Sequence, residues 1–125
     1  MKIYEAITQF DARQFNTYSE GDKIQWLSSL DSMVRRHIID THEGGENVEF
    51  SDYNSSTDIQ KTQLLVPAPY DEMYFRWMEA QVCYHNGEYD KYNNAIIMFN
   101  TAYENYAAYY NRTHTPVSQG RRFLF

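Results

Sequence analysis

The sequence predicts a mainly α-helical protein: a small helical bundle with a long C-terminal helical hairpin and a short two-stranded β element. Apolar residues recur every three or four positions in several stretches of the chain, which is the period of an amphipathic helix. The last stretch keeps a seven-residue repeat without a break from Tyr89 to Tyr110, as bundle helices do. We expect residues 1–116 to form a single helical domain and residues 117–125 to form a tail.

Two helices are predicted in the first half of the chain. The first covers about residues 3–10, with its apolar positions at Ile3, Ile7 and Phe10. The second begins after Ser19, which precedes an acid by three residues as helix-capping serines do, and ends near His42, ahead of two glycines. Its apolar face carries Ile24, Leu27, Leu30, Val34 and Ile38. Polar and charged residues are expected largely off that face, namely Lys23, Ser28, Asp31, Arg35 and Asp40.

The β element is predicted in the middle of the chain. Residues 43–61 are rich in Gly, Ser, Asn and Asp, and two β-prone pieces, residues 48–50 and 62–66, lie within and after them. We expect these pieces to pair as an antiparallel ribbon around a mobile loop. A two-stranded ribbon is marginal alone, so it would lean on the helices or add to a neighbour's strand.

A helical hairpin is predicted in the Tyr-rich second half. Pro67 and Pro69 end the β-prone piece and start a helix that ends at Asn86-Gly87. Its repeating positions are Tyr70, Met73, Trp77, Ala80 and Tyr84. The next helix runs from about Tyr89 to Tyr110, with its seam at Tyr89, Tyr92, Ile96, Phe99, Tyr103, Tyr106 and Tyr110. The connection is so short that the two helices must lie side by side.

Composition narrows the classes of function. The formal net charge is −6, so sequence-specific binding of DNA or RNA is not expected. No apolar run approaches the roughly 20 residues of a membrane helix, and the N-terminus lacks the apolar region of a signal peptide, so we expect a cytosolic protein. Aromatic residues make up 17% of the chain, which suits either a Tyr-based core or surfaces that meet other proteins.

The chain offers no catalytic, cofactor-binding or metal-binding constellation, and we expect no enzyme. His37 and His42 are five residues apart, which is not the spacing that places two ligands on one helix face, so a solvated helix end is favoured. Cys83 is the single cysteine and is expected to be a buried small side chain. Asn93 and Asn94 lie in mid-helix, where they either face water or fix the register with a neighbouring subunit.

The tail is unusual because it combines two cations with three apolar residues. Termini seldom leave such residues in water, so the tail either folds back onto its own core or docks on another subunit. The candidate subunit-interface residues are therefore Asn93, Asn94, Arg121, Arg122, Phe123 and Phe125.

Several strings of residues resemble a known family. They are KIQWL (23–27), LD (30–31), IDTH (39–42), LLVPAPYDE (64–72), NGEY (86–89), KYNN (91–94), FNTAY (99–103) and YNRTHTP (110–116). The chain resembles small structural proteins of tailed phages and prophages of Firmicutes, of the head–tail connector or head-completion type. The resemblance spans about residues 3–116.

The resemblance implies a helical virion subunit that assembles in the bacterial cytoplasm. Copies would form a homo-oligomeric ring between the portal protein and the tail-completion proteins, with DNA passing through the ring. An acidic lumen would repel phosphate and let DNA pass without sticking. The alternative is a small cytosolic adaptor that regulates a phage or host partner without catalysis.

Overall fold

A computed structural model of the protein describes residues 1–117, in which four α-helices occur. They are α1 (Ile3–Arg13), α2 (Glu20–Val34), α3 (Glu72–His85) and α4 (Tyr89–Thr113). A π-helical turn, Arg35–Ile39, continues α2, and a 3-10 turn, Gly45–Asn47, follows. The predicted mainly helical fold and its C-terminal hairpin are confirmed.

The apolar faces predicted for α1 and α2 are confirmed. All three predicted positions of α1 and all five of α2 and its π-helical extension are buried. The predicted start of α2 is also correct, because the Ser19 hydroxyl oxygen accepts the Asp22 N–H at 3.1 Å. Such a bond satisfies one of the free N–H groups of a first helical turn. The α-helix itself ends earlier than predicted, at Val34.

The polar face predicted for α2 is wrong at three positions. Lys23, Ser28 and Asp31 are buried, with Asp31 completely inaccessible. They are covered because both helical and irregular segments pack against α2. On one side α1 supplies Asp11, whose Oδ1 lies 2.7 Å from the Lys23 Nζ. On another side residues 48–66 cover Ser28 and Asp31. A helix wrapped on two sides buries a wider stripe than its apolar residues mark.

The predicted two-stranded β element does not form, and residues 1–117 contain no β-strand. The segment around Gln63 bonds to the start of the chain instead: the Ile3 N–H donates to the Thr62 carbonyl at 3.1 Å, and the Leu64 N–H donates to the Met1 carbonyl at 2.9 Å. These bonds make one isolated antiparallel bridge, between Lys2 and Gln63. The other β-prone piece has a different partner, since the Val48 carbonyl accepts from the Arg35 guanidinium.

The hairpin turn is built around Gly87. Its φ of +78° lies in the left-handed region, which glycine adopts without steric cost. The Gly87 N–H donates to the Tyr84 carbonyl at 3.1 Å and the Glu88 N–H to the Cys83 carbonyl at 2.9 Å, which closes α3. Since α4 has 25 residues and α3 has 14, α4 extends about 16 Å further along the bundle.

The predicted seam of α4 is buried only in its second half. Phe99, Tyr106 and Tyr110 are buried, whereas Tyr89 is 61% exposed. The matching position of α3, Tyr84, is 51% exposed. These two tyrosines lie at the hairpin tip, where their rings pack on each other with centroids 6.1 Å apart and no third element covers them within residues 1–117. The second half of the seam also packs on Tyr70, which precedes α3 and whose ring centroid is 5.6 Å from that of Tyr106.

The last described residues return to the end of the π-helical turn. The Glu43 N–H donates to the Thr115 carbonyl at 2.7 Å, and the Val117 N–H donates to the Thr41 carbonyl at 2.9 Å. Val117 is the last described residue. The candidate interface residues Arg121, Arg122, Phe123 and Phe125 lie outside the described residues.

Candidate functional site

The outward face of α4 carries the candidate interface residues that the structure describes. Asn93 and Asn94 are exposed, as are Ile97 and Met98 one turn further on, at 61% and 47%. These four side chains lie one helical turn apart in two neighbouring rows, turned away from the buried seam. We call them the α4 face. Exposed Asn93 and Asn94 agree with the interpretation that they face water in the single chain, and an interface role stays a prediction.

A groove of about 550 Å³ borders the α4 face in the half of the hairpin that includes its turn. Asn94 and Met98 form one wall, and Phe15, which follows α1 and is 89% exposed, lies at the opposite rim. Two ion pairs flank the groove. The side-chain N···O distance is 3.7 Å between Arg76 and Glu79 and 2.8 Å between Lys91 and Glu88. The groove is therefore half apolar and carries no net charge from these pairs, which suits a protein contact better than a charged substrate.

The pKa values of three titratable groups in this groove are shifted away from neutral pH. Cys83 is buried, as predicted, and burial raises the pKa of its thiol, which disfavours the reactive thiolate. The hydrogen bond from Lys91 lowers the pKa of Glu88, and the same bond raises the pKa of Lys91. Both groups are thus held in their charged forms near neutral pH, whereas an acid–base catalyst needs a pKa near the working pH.

A buried carboxylate forms the most elaborate polar site of the described residues. Asp31 Oδ1 accepts from the Tyr74 hydroxyl at 2.6 Å, and Oδ2 accepts from the Tyr53 hydroxyl at 2.5 Å and from the Leu65 N–H at 3.0 Å. The Tyr74 oxygen also accepts the Val66 N–H at 2.8 Å. We call Asp31, Tyr53 and Tyr74 the carboxylate anchor.

The carboxylate anchor holds the connection between the two halves of the chain. Residues 48–66 lack regular structure, so their buried backbone groups need partners from elsewhere. Asp31 supplies one to Leu65, Tyr74 supplies one to Val66, and the Ser28 hydroxyl accepts the Tyr53 N–H at 3.0 Å. Side chains of α2 and α3 thereby replace bonds that a β-ribbon would have made.

Burial sets the protonation chemistry of the anchor. Desolvation raises the pKa of Asp31, and the three hydrogen bonds that it accepts oppose that rise. Desolvation also raises the pKa of Tyr53 and Tyr74, and the neighbouring carboxylate adds to the effect. Because Asp31 and Tyr74 are completely inaccessible, no substrate reaches them, and the site is a structural one.

Sequence reasoning missed the carboxylate anchor. Asp31 is four residues beyond Leu27 and three before Val34, so its spacing does place it within the buried stripe of α2. That spacing is the feature of the sequence that could have indicated a buried Asp31. A charged residue at such a position is ordinarily assigned to the surface, because aspartate is rarely buried unless it is paired.

The prediction of a solvated helix end is correct for His37, which is exposed, and wrong for His42, which is 5% exposed. The His42 Nδ1 lies 2.6 Å from the Ile38 carbonyl oxygen, and its Nε2 lies 2.6 Å from the Asn111 side-chain oxygen. The ring also packs edge-on against Tyr110, with centroids 4.8 Å apart. His42 thus joins the end of the π-helical turn to the end of α4.

Residues 1–117 contain no group of three or more His, Cys, Asp or Glu side chains arranged to hold a metal ion. None of the helices in this part of the chain combines the length and the apolar character that crossing a membrane requires. Comparison with protein-family models, curated proteins and solved structures finds no match to this chain.

Proposed function

We propose that the protein is a structural component of a phage virion, a head–tail connector subunit that forms a homo-oligomeric ring between the portal protein and the tail. The α4 face is the observation that carries this proposal. A subunit of a ring must offer neighbours a surface outside its own core. The exposed Ile97 and Met98, one turn beyond Asn93 and Asn94, supply apolar area beside hydrogen-bonding groups on a rigid 25-residue helix.

The resemblance of residues 3–116 to connector proteins supports the same function. So does the acidic surface, because a ring through which DNA passes works best when its lumen repels phosphate. Nine of the eleven Lys and Arg residues and all seventeen Asp and Glu residues lie within residues 1–117, which gives this part a formal net charge of −8. The ring would assemble in the host cytoplasm and remain in the virion.

Charge placed on the α4 face tests the proposal. Ile97→Glu combined with Met98→Glu should abolish ring formation with the portal protein, because each interface would bury two unpaired charges against the next subunit. Both positions are exposed, so the helical content measured by circular dichroism should stay unchanged. Thr8→Glu combined with Gln9→Glu is the matched control, since these residues lie exposed on α1. The control should assemble as the unmodified chain does.

Mass measurement in solution, alone and with the portal protein, reads out the result. A ring-sized species with the unmodified chain and the control, absent with the double variant, supports the proposal. A chain that stays monomeric and shows no affinity for the portal protein contradicts it and favours the alternative, a small adaptor. If the double variant assembles normally, the α4 face is not the interface.

A further inference from the structure

A pocket of about 360 Å³ lies where the start of α2 meets the end of α3, and three of the side chains that line it are aromatic: Tyr18, Trp26 and His85. The Trp26 and His85 rings stack with their planes 10° apart and their centroids 5.7 Å apart, and Tyr18 meets Trp26 edge-on at 5.5 Å. The Tyr18 hydroxyl donates to the Asn86 side-chain oxygen at 2.6 Å. We call it the aromatic pocket. Contacts within the single chain form it, so binding there requires little ordering of the rings.

Polar side chains without partners complete the lining of the aromatic pocket. They belong to Asp22, Gln25 and Gln81, and within residues 1–117 none of the three makes a side-chain hydrogen bond or ion pair. No lysine or arginine lines the pocket. The pocket therefore offers a carboxylate and two amide groups next to aromatic rings, and no cation in its lining neutralises the carboxylate.

The charge around the aromatic pocket is also negative. The segments that meet here, residues 18–26 and 84–92, contain four acids and two lysines. Both lysines are already paired, Lys23 with Asp11 at 2.7 Å and Lys91 with Glu88 at 2.8 Å. The remaining acids of the two segments are exposed and without an ion-pair partner in the described part of the chain: Glu20, Asp22 and Asp90. This end of the molecule therefore attracts positive charge.

The lining selects a guanidinium group among cations. The face of an aromatic ring attracts a cation, and an indole such as that of Trp26 does so best. A planar guanidinium stacks on such a ring and brings five N–H donors, which suit the carboxylate of Asp22 and the amide oxygens of Gln25 and Gln81. A lysine ammonium is more strongly hydrated and cannot stack, and a quaternary ammonium has no donor at all.

The surface next to the aromatic pocket indicates that this group belongs to a protein. Tyr84 and Tyr89 are 51% and 61% exposed, and they extend the aromatic surface outward from His85. The ring centroids are 5.4 Å apart between Tyr84 and His85 and 6.1 Å apart between Tyr84 and Tyr89. A free small cation would fill the pocket alone and leave these rings in water. Exposed tyrosines beside a site for arginine are typical of the energetic centre of a protein interface.

We propose that the aromatic pocket binds an arginine side chain of a partner protein, whose neighbouring residues cover Tyr84 and Tyr89. The guanidinium stacks on the rings of the pocket and pairs with the Asp22 carboxylate. This docking surface shares no residue with the α4 face, and it does not depend on ring formation.

Nuclear magnetic resonance of the full-length chain with a blocked peptide, acetyl-Gly-Arg-Gly-amide, tests the site. The indole N–H signal of Trp26, identified by its loss in Trp26→Phe, should move with saturation and give a Kd in the millimolar range, as expected for one exposed cation site. The matching lysine peptide should bind about threefold more weakly, because its ammonium does not stack. A Trp26 signal that does not saturate with the arginine peptide, or equal binding of the two peptides, overturns the proposal.

A matched pair of charge variants tests the role of Asp22. Asp22→Asn should raise the Kd of the arginine peptide about threefold to fivefold, as expected for the loss of one exposed ion pair. Glu20→Gln removes the same charge from the same helical turn but lies outside the pocket lining, so it should change the Kd by less than about twofold. Equal effects of the two variants would reduce the site to general attraction by an acidic surface and contradict the pocket.

A third comparison separates a protein partner from a free small cation. Acetyl-Leu-Arg-Leu-amide should bind about tenfold more tightly than the glycine peptide, because its leucines bury apolar area on the exposed tyrosines. Tyr84→Ser should remove most of this difference between the two peptides. If free arginine or tetramethylammonium binds as tightly as the leucine peptide, the pocket serves a small cation and the protein partner is wrong.

Discussion

Replacing Tyr74 with phenylalanine removes a single oxygen atom from the core, and two hydrogen bonds with it. The Tyr74 hydroxyl donates to Asp31 Oδ1 at 2.6 Å and accepts from the Val66 N–H at 2.8 Å. Tyr74, Asp31 and Val66 are all completely buried, so water cannot take the place of the lost partner. The substitution leaves the ring in place and therefore isolates the polar contribution of the carboxylate anchor.

The expected loss of stability follows from the two groups that lose a hydrogen-bond partner, the Val66 N–H and the Asp31 carboxylate. A buried N–H without an acceptor costs roughly 1–3 kcal/mol, and a hydrogen bond to a charged group contributes roughly 1.5–3 kcal/mol. The two losses share one network and are not additive, so we expect the free energy of unfolding to fall by about 3 kcal/mol. Native domains are stable by only about 5–15 kcal/mol, so the change is a large share of the total.

Urea unfolding, followed by circular dichroism, measures this change. For a chain of this length, a loss of about 3 kcal/mol also lowers Tm by about 12 °C. Tyr84→Phe is the matched control: it lies on the same helix but is 51% exposed, and we expect a change within about 0.5 kcal/mol. A Tyr74→Phe variant within about 1 kcal/mol of the unmodified chain would refute the assignment of Asp31 and Tyr74 as the anchor.

Three further predictions concern stability. Because burial raises the pKa of Asp31 above its ordinary value of 3.8, the folded chain binds its proton more tightly than the unfolded chain. The free energy of unfolding, relative to that of Asp31→Asn, should therefore rise as pH falls from 7 towards 4, by up to about 1.4 kcal/mol per pH unit; a falling difference would contradict the raised pKa. The buried Tyr103 hydroxyl meets no partner within residues 1–117, so Tyr103→Phe should leave thermal stability unchanged or raise it by about 1 kcal/mol, and a loss above 1 kcal/mol would argue against this. Gly87→Ala should cost about 1 kcal/mol through its positive φ, whereas Gly45→Ala should cost more than 2 kcal/mol because the added Cβ would lie 2.6 Å from the Ile39 carbonyl oxygen; equal costs in urea unfolding would contradict the close approach.

The helices were predictable because their signals are local. The apolar spacing of α1 and α2, the Ser19 cap and the turn at Asn86-Gly87 each involve residues within a few positions of one another. The same locality explains the error at Tyr89. A seven-residue repeat shows which residues share one face of a helix, but not how far the neighbouring element extends along that face.

The middle of the chain could not be predicted in the same way. Residues 48–50 and 62–66 have the composition of strands, but composition does not select a partner. The partner of Gln63 is Lys2, far away in sequence, and the Leu65 N–H is satisfied by the Asp31 side chain. Such contacts arise from the packing of α1 and α2, which places the chain start and Asp31 beside this segment.

The candidate interface was predictable only in part. Asn93 and Asn94 drew attention because asparagine is a poor helix former, and both lie on the exposed side of α4. Ile97 and Met98 fall outside the predicted seam, and apolar residues are common enough on protein surfaces that their positions alone indicate no interface. Their exposure depends on the side of α4 that α3 leaves uncovered.

Electron cryo-microscopy of the chain mixed with the portal protein tests the proposed function most directly. We predict a closed ring on the portal, in which Asn93, Asn94, Ile97 and Met98 of each subunit lie at the contact with the next. A ring whose subunit contacts exclude these residues would contradict the role of the α4 face. Portal particles without any bound chain, at concentrations where the protein is folded, would contradict the connector function itself.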